Sequence, residues 1–99
     1  MGASLFLNGL IFEWDEEKAA ENLRKHDIPF RTACEVFLDP FVQFVDAGPE
    51  DEAREAAVGL TSDFRLLFVV HIERYEGIIR IISARKATSH ERRIHEENE

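Results

Sequence analysis

The chain has 99 residues, 44% of them hydrophobic, and carries 20 acidic against 12 basic side chains, a formal net charge of −8. This length fits one domain with a single core, expected over residues 1–99, and the negative charge disfavours nonspecific coating of nucleic acid. One cysteine cannot form an internal disulfide, no run of about 18 apolar residues predicts a membrane span, and residues 1–10 lack a secretion signal. We therefore expect a cytoplasmic protein that does not contact a membrane.

The first predicted element is a short strand over residues 10–13, which follows the turn-forming dipeptide Asn8-Gly9. Asp15 has the character of a helix N-cap, and the helix after it is expected to run to about His26. Its core-facing side chains are predicted to be Trp14, Ala19 and Leu23, with His26 as a further candidate.

A second, shorter helix is predicted over about residues 31–38, where Asp39-Pro40 ends it. Four further strands are predicted at residues 41–45, 56–61, 66–72 and 78–84. Gly59 lies inside the second of these strands, which indicates a bulge or a close backbone approach.

The last two strands are predicted to form an antiparallel hairpin with its turn at residues 75–77, and Thr88 or Ser89 caps a final helix. The order β-α-α-β-β-β-β-α predicts an α+β fold, in which two N-terminal helices pack on one face of a mostly antiparallel sheet of four to five strands. The C-terminal helix is expected to hide only part of the opposite face. A concave surface on that face could therefore hold a ligand.

Several kinds of chemistry find little support in the sequence. The four histidines form no i,i+4 pair of a zinc-binding helix, and no glycine-rich phosphate loop is present. We therefore expect neither a metal nor another cofactor. Cys34 has no base near it in sequence and is interpreted as a buried structural thiol rather than a nucleophile.

Basic side chains are concentrated around a strand that is otherwise apolar. Residues 74–93 hold six basic side chains against two acidic ones. The strand inside this segment contains four isoleucines that require burial, at positions 78, 79, 81 and 82. In a regular strand Arg80 and Arg85 lie on opposite faces, so the two can converge only if the chain twists or leaves the strand near Ala84.

Two explanations fit this concentration of positive charge. Acidic residues of the N-terminal half could neutralise it, since residues 1–53 hold twelve acidic and four basic side chains. Alternatively, the basic residues bind an anion from outside the chain. A planar guanidinium suits bidentate contact with a phosphate. We favour an RNA phosphate, bound by Arg80 and Arg85, with Arg54, Arg74 and Lys86 in support.

Lys25 and His26 are a second pair of candidate catalytic residues. A histidine at a helix end can exchange a proton near neutral pH, and packing of His26 into the core explains its position equally well.

Three segments of the chain resemble the BrnT family: FEWDEEKAAENLRKHDIPF at residues 12–30, VFLDP at 36–40 and IRIISARKATSHERR at 79–93. The resemblance covers about residues 11–97. It implies a fold similar to RelE-like ribonuclease toxins and an activity that arrests translation. It also implies a partner, a BrnA-like antitoxin with a ribbon-helix-helix DNA-binding part. The resulting hetero-oligomer is expected to contact operator DNA through the antitoxin.

The resemblance also implies site residues. The recurring polar positions of the family correspond here to Lys25, His26, Arg54, Arg80 and Arg85. Glu73 and Arg74 lie nearby at the end of a hairpin strand, and Glu73 is a weaker acid–base candidate. The chain departs from the family pattern at three positions, where Asp27 and Phe64 replace usual glycines and His95 replaces a usual tyrosine.

The expected reaction is RNA cleavage without a metal, by attack of a ribose 2′-hydroxyl on the adjacent phosphate. Arg80 and Arg85 would stabilise the phosphate, and His26 or Lys25 would transfer the proton. The alternative is a protein that binds the antitoxin and acts only as a co-repressor of its own operon.

Overall fold

The computed structural model describes residues 2–48, 54–74 and 77–99. Six strands are present in these ranges: β1 Gly2–Leu7, β2 Leu10–Asp15, β3 Gln43–Asp46, β4 Glu55–Leu60, β5 Leu66–Glu73 and β6 Ile78–Lys86. The helices are α1 Glu16–His26, α2 Phe30–Ala33 and α3 Ser89–Glu97, and a 3-10 helix at Cys34–Leu38 continues α2. None of the helices in the described part of the chain is long and apolar enough to cross a membrane.

The strands form one sheet in the order β1-β2-β6-β5-β4-β3. Neighbouring strands are antiparallel except β2 and β6, which pair in parallel. The predicted α+β class is therefore confirmed, and so is the antiparallel hairpin of β5 and β6. The prediction of four to five strands is wrong, because the described residues form six. The predicted turn at residues 75–77 lies largely outside the described residues.

The strand missing from the sequence prediction is β1. Asn8 and Gly9 both have positive φ angles, 52° and 86°, which matches a tight hairpin turn whose twist suits the flanking strands. β1 is an edge strand and alternates between exposed and half-buried side chains. Its inward residues, Ala3, Leu5 and Leu7, pack against the main core.

The helices cover one side of the sheet, which we call the helix face. The main core lies between this face and α1, α2 and the 3-10 helix. Its buried members include Phe12, Trp14, Phe30, Val36, Val69 and Ile81. Burying each large apolar side chain of this kind contributes about 1.5–3 kcal/mol.

The start of α1 follows the prediction, because the Asp15 carboxylate accepts a hydrogen bond from the Lys18 backbone N–H at 3.3 Å. The predicted core-facing stripe is wrong in part. Leu23 is 45% exposed and His26 is also exposed. The helix instead buries Asn22.

The burial of Asn22 has a clear cause in the sheet. β2 pairs with β6 over residues 78–80 of β6, so Ala84 has no strand partner on that side. The Asn22 side chain takes the place of a strand there, accepting from Ala84 N and donating to Ala84 O, both at 3.0 Å. It also donates to Ile28 O at 3.1 Å. Because Asn22 satisfies these buried backbone groups, it takes the inward position on α1, and Leu23 faces outward.

The predicted helix at residues 31–38 is confirmed as α2 followed by the 3-10 helix, and it ends at Asp39 as predicted. Gly59 marks a close backbone approach between β4 and this helix. A Cβ atom added at Gly59 would lie 2.9 Å from the Val36 carbonyl oxygen. This contact requires glycine, as its position inside a strand indicated.

Two non-glycine residues adopt left-handed backbone conformations at positions where the sequence resemblance implies glycine. Asp27 caps the end of α1 with φ 59°, and its N–H donates to Leu23 O at 2.9 Å. Phe64, in the loop between β4 and β5, has φ 65° and is 83% exposed. A bulky residue in this conformation is strained, whereas an aspartate tolerates it better.

We expect Phe64→Gly to stabilise the protein by about 1 kcal/mol, because it removes the steric cost of a positive φ. Phe64→Ala is the matched control, since it removes the exposed ring but keeps the Cβ atom. Urea unfolding of both variants measures the difference. Equal stabilities for the glycine and alanine variants would contradict the assignment of strain to this backbone position.

Cys34 is fully buried in the main core, as predicted for a structural thiol. Burial raises the pKa of this thiol to about 12. At pH 8, roughly one thiol in ten thousand is then ionised. We expect the native protein to react with a thiol reagent at least about 100-fold more slowly than the unfolded protein. Because Cys34 is the single cysteine, the assay is unambiguous, and prompt stoichiometric labelling of the native state would contradict this expectation.

The C-terminal helix packs on the other side of the sheet, beside a smaller apolar cluster of Ala56, Val58, Leu66 and Phe68. Thr88 caps α3, and Glu91 completes a capping box with it. Near the end of α3, His95 is buried and its Nε2 lies 2.8 Å from Asp39 Oδ2. Asp39 also accepts from the backbone N–H groups of Leu60 and Phe41.

Candidate arginine site

A β-bulge in β6 decides which side of the sheet its arginines occupy. Ile81 pairs with His71 and Ser83 pairs with Val70, so Ile82 is an extra residue in the ladder. On either side of it, Arg80 pairs with Ile72 and Arg85 with Phe68. These partners are four residues apart on β5 and therefore on one face. The chain was expected to twist or leave the strand near Ala84, but β6 continues to Lys86, and the bulge at Ile82 is what places both arginines on one face.

We call this side of the sheet, which carries Glu13, Arg80 and Arg85, the arginine face. It lies opposite the helix face, because Ile81 and Ala84, which flank the bulge, belong to the main core. Glu13 lies between the core residues Phe12 and Trp14, so it points away from them, and it pairs with Arg80 in the parallel register of β2 and β6.

Arg80 and Arg74 share one oxygen of Glu13. Arg80 Nη1 donates to Glu13 Oε2 at 2.9 Å, and Arg74 Nη1 donates to the same atom at 2.7 Å. The hydrogen bond from Arg80 lowers the pKa of Glu13, with a further contribution from Arg74, and together they outweigh the opposing effect of burial. Glu13 is therefore a carboxylate at neutral pH, and the three side chains are partly exposed.

Arg85 is held by α3. Its Nη1 and Nη2 donate to the two oxygens of Glu91, both at 2.9 Å, and its guanidinium lies 4.1 Å from the centre of the Phe68 ring. Burial would raise the pKa of Glu91, but hydrogen bonds from Arg85 and from Thr88 N–H outweigh it, so the pKa is lowered. The first of the two explanations for the basic cluster is therefore confirmed only in part: Glu13 of the N-terminal half pairs with Arg74 and Arg80, whereas the partner of Arg85 is Glu91, in the C-terminal half.

Arg54 and Lys86 lie on opposite faces of the sheet. Arg54 directly precedes Glu55, which pairs with His71, so it lies next to Ile72 and one strand away from Arg80. Lys86 pairs with Leu67, a residue of the main core, and is exposed at the end of β6. Arg54 therefore extends the row of the arginine face, whereas Lys86 belongs to the helix face.

Lys25 and His26 are not brought together with the arginines. They end α1, which lies on the helix face, and both are exposed. Lys25 Nζ forms an i,i+4 ion pair with Glu21 Oε1 at 3.0 Å. The sheet separates these two candidates from Arg80. Arg80 points to the arginine face, whereas α1 packs on the helix face.

Glu73 also lies on the helix face, where it pairs with Ile79 and is exposed. It lines a cavity of about 270 Å³ together with the buried His71. A larger cavity of about 550 Å³ is mainly apolar, and its lining includes Leu5, Leu38 and Phe64 but none of the three paired arginines. Neither of these two cavities is lined by Arg74, Arg80 or Arg85.

Two site residues were absent from the sequence prediction, Glu13 and His71. The position of Glu13 between two buried aromatic residues indicates its face, but its parallel pairing with Arg80 across 67 positions has no local signal. His71 lies in a strand that is apolar on both sides, which predicts burial but not a cavity beside it. Among the described residues, no group of three or more histidine, cysteine or acidic side chains could hold a metal ion.

Comparison with known proteins agrees with this architecture. The family model described as ribonuclease toxin, BrnT, of type II toxin–antitoxin system matches residues 14–91. The chain is similar to the crystal structure of the Brucella abortus ribonuclease toxin BrnT, with 25% sequence identity, a TM-score of 0.63 and coverage of 77% of this chain and 94% of that chain. No curated protein in the comparison matches the chain. The family match covers most of the sequence, and the chain therefore belongs to the BrnT family of ribonuclease toxins from type II toxin–antitoxin systems.

Proposed function

We propose that this protein cleaves RNA without a metal ion, on the arginine face, and so inhibits translation. The observation that carries the proposal is the convergence of Arg80 and Arg74 on a single carboxylate oxygen beside a partly open sheet surface. Positive charge prearranged in this way stabilises a phosphate whose negative charge increases in the transition state. Family membership supports the ribonuclease activity in general.

In the proposed reaction, the 2′-oxygen bonds to the adjacent phosphorus as its proton leaves. The bond from phosphorus to the 5′-oxygen then breaks, and the 5′-oxygen takes up a proton from solvent water. The products are a 2′,3′-cyclic phosphate and a 5′-hydroxyl. Arg80 and Arg74 contact the non-bridging oxygens, and Arg85, fixed by Glu91, contacts a neighbouring phosphate.

Glu13 is our choice for the group that accepts the 2′-hydroxyl proton. It is adjacent to Arg80 and ionised, whereas His26 and Lys25 lie behind the sheet. Its low pKa makes it a weak base in the free protein. A phosphate that takes over the hydrogen bonds of Arg80 and Arg74 removes the main cause of that low pKa. Substrate binding would then raise the basicity of Glu13.

We further propose that a BrnA-like ribbon-helix-helix antitoxin neutralises the toxin in a hetero-oligomer, and that contact with operator DNA occurs through this antitoxin. Membership of a type II toxin–antitoxin family implies an antitoxin partner, and the BrnA-like type is what the sequence resemblance implies. The acidic N-terminal half, with twelve acidic against four basic residues in positions 1–53, suits a basic segment of such a partner.

The alternative is a non-catalytic co-repressor. It is favoured by the carboxylate pairing of the three arginines, since Glu13 and Glu91 already occupy the positions that a phosphate would need. A co-repressor of this kind must bind the antitoxin but does not cleave RNA.

Incubation of the purified toxin with RNA in excess EDTA separates the two functions. We expect cleavage with 2′,3′-cyclic phosphate ends, detected by their resistance to 3′-end ligation and by mass spectrometry. An Arg80→Ala preparation, purified in parallel, controls for contaminating nucleases. Intact RNA together with tight antitoxin binding would establish the co-repressor instead, and cleavage that requires an added metal would overturn the proposed mechanism.

A further inference from the structure

A small cavity on the helix face lies behind the arginine cluster, at the same end of the sheet. It has a volume of about 270 Å³ and is lined by Phe37, Phe44, Glu55, His71, Glu73 and Ile79. The two phenylalanines pack edge-on against the His71 ring, with ring centres 4.9 and 5.8 Å away. The cavity is too small for a large ligand and large enough for the end of one side chain.

The hydrogen bonding of His71 determines what its ring offers to the cavity. The side chain is 4% exposed, and its Nδ1 lies 3.1 Å from the Val69 carbonyl oxygen. A carbonyl can only accept, so Nδ1 carries the proton. Burial lowers the pKa of His71, which keeps the ring neutral near pH 7. Nε2 is therefore an unprotonated acceptor.

Nε2 has no hydrogen-bond partner in the described part of the chain. The nearest acidic oxygen, Glu55 Oε1, is 3.8 Å away, beyond hydrogen-bonding distance. Glu55 and Glu73 are both exposed and stand at the mouth of the cavity. Every polar group that the lining side chains present is thus an acceptor, namely Nε2 and two carboxylates, and two aromatic rings complete the walls.

We propose that this cavity binds an arginine or lysine side chain of the antitoxin. A guanidinium or ammonium group carries only hydrogen-bond donors, so it complements a lining that carries only acceptors. Its positive charge is attracted by the two carboxylates and by the aromatic walls. The inference rests on the antitoxin partner in the proposed function, and not on RNA cleavage.

RNA is a poorer occupant of this cavity. The carboxylates of Glu55 and Glu73 repel a phosphate backbone, and a nucleobase presents acceptors as well as donors, which would remain unpaired here. The sheet also keeps the cavity apart from Arg80, since Ile72, between His71 and Glu73, is the residue that faces the arginine. Antitoxin binding at the cavity can therefore be changed without touching the proposed catalytic groups.

The first test uses small probes that differ in charge and little in shape. Nα-acetyl-arginine methylamide and its uncharged citrulline counterpart are titrated into the protein while the His71 ring resonances are followed by NMR. We expect saturable shifts with the arginine probe and none with the citrulline probe. Equal shifts with both probes, or preferential saturation of the same resonances by cytidine monophosphate, would overturn the proposal.

The second test uses Glu55→Gln, with Glu96→Gln on α3 as the matched control. We expect the first variant, and not the control, to weaken binding of the arginine probe and of the antitoxin by about fivefold, since an exposed ion pair contributes up to about 1 kcal/mol. RNA cleavage and growth arrest should persist in both variants. Unchanged antitoxin affinity would refute the assignment. Absence of cleavage in the wild type would instead count against the proposed function and leave the probe result intact.

Discussion

Arg80→Ala is expected to yield a folded protein that cleaves RNA roughly 10²–10³-fold more slowly and no longer arrests growth. The physical reason is the loss of a positively charged donor aimed at the position of the phosphate. The fold should survive, because Glu13 keeps its hydrogen bond to Arg74 and is not left as an unpaired carboxylate. Cleavage rates on a short RNA and circular dichroism of the same preparation measure the two effects.

Arg24→Ala is the matched control for this variant. Arg24 is an exposed arginine of α1, on the opposite side of the sheet, so its removal lowers the net charge equally without touching the arginine face. Glu13→Gln tests the neighbouring carboxylate, which we expect to be required as well. Full toxicity of Arg80→Ala and Arg85→Ala would exclude both arginines from the mechanism.

Asp39→Asn is expected to destabilise the protein by about 3 kcal/mol, a large fraction of the 5–15 kcal/mol that is typical of a domain. The Asp39 side chain is 5% exposed and accepts three hydrogen bonds, from Leu60 N–H, Phe41 N–H and His95. The amide of asparagine would direct an N–H group at one of these donors. The variant should therefore loosen the contact that joins α3 to the end of the 3-10 helix.

The stability of the wild type should depend on pH through this same residue. Burial would raise the pKa of Asp39, but the backbone hydrogen bonds and His95 outweigh it, so the folded pKa is lowered. The resulting stabilisation is complete above the pKa of an unfolded aspartate, about 3.9, and is lost as the pH falls below it and through the folded pKa. In Asp39→Asn, the free energy of unfolding should therefore fall less with decreasing pH than it does in the wild type.

Urea unfolding at pH 7 and at intervals down to pH 3 measures both effects. Asp46→Asn, at an exposed position in β3, is the control for removal of a single negative charge. An Asp39→Asn protein as stable as the control at pH 7 would show that the buried pair with His95 does not hold α3.

Local patterns in the sequence were sufficient for most of the elements. Asp15 was recognised as a helix cap, Thr88 was one of two candidates for the cap of α3, and Asp39-Pro40 was recognised as a helix end, because each acts on backbone groups within a few residues. Of the two alternatives predicted for Gly59, a bulge or a close backbone approach, the structure shows the close approach. β1 was missed because an edge strand with one half-buried side has a weak apolar pattern.

Residue types and chain order thus determined the α+β class, the family and the presence of an arginine-rich strand. The bulge at Ile82, the parallel pairing of Glu13 with Arg80 and the separation of His26 from the arginines depended on the folded sheet. One extra residue in a strand reverses the face of every side chain beyond it, and its position is set by pairing with a neighbouring strand rather than by local sequence. Contacts between residues 61 or 67 positions apart leave no mark in a local pattern, so the grouping of charges became visible only in the fold.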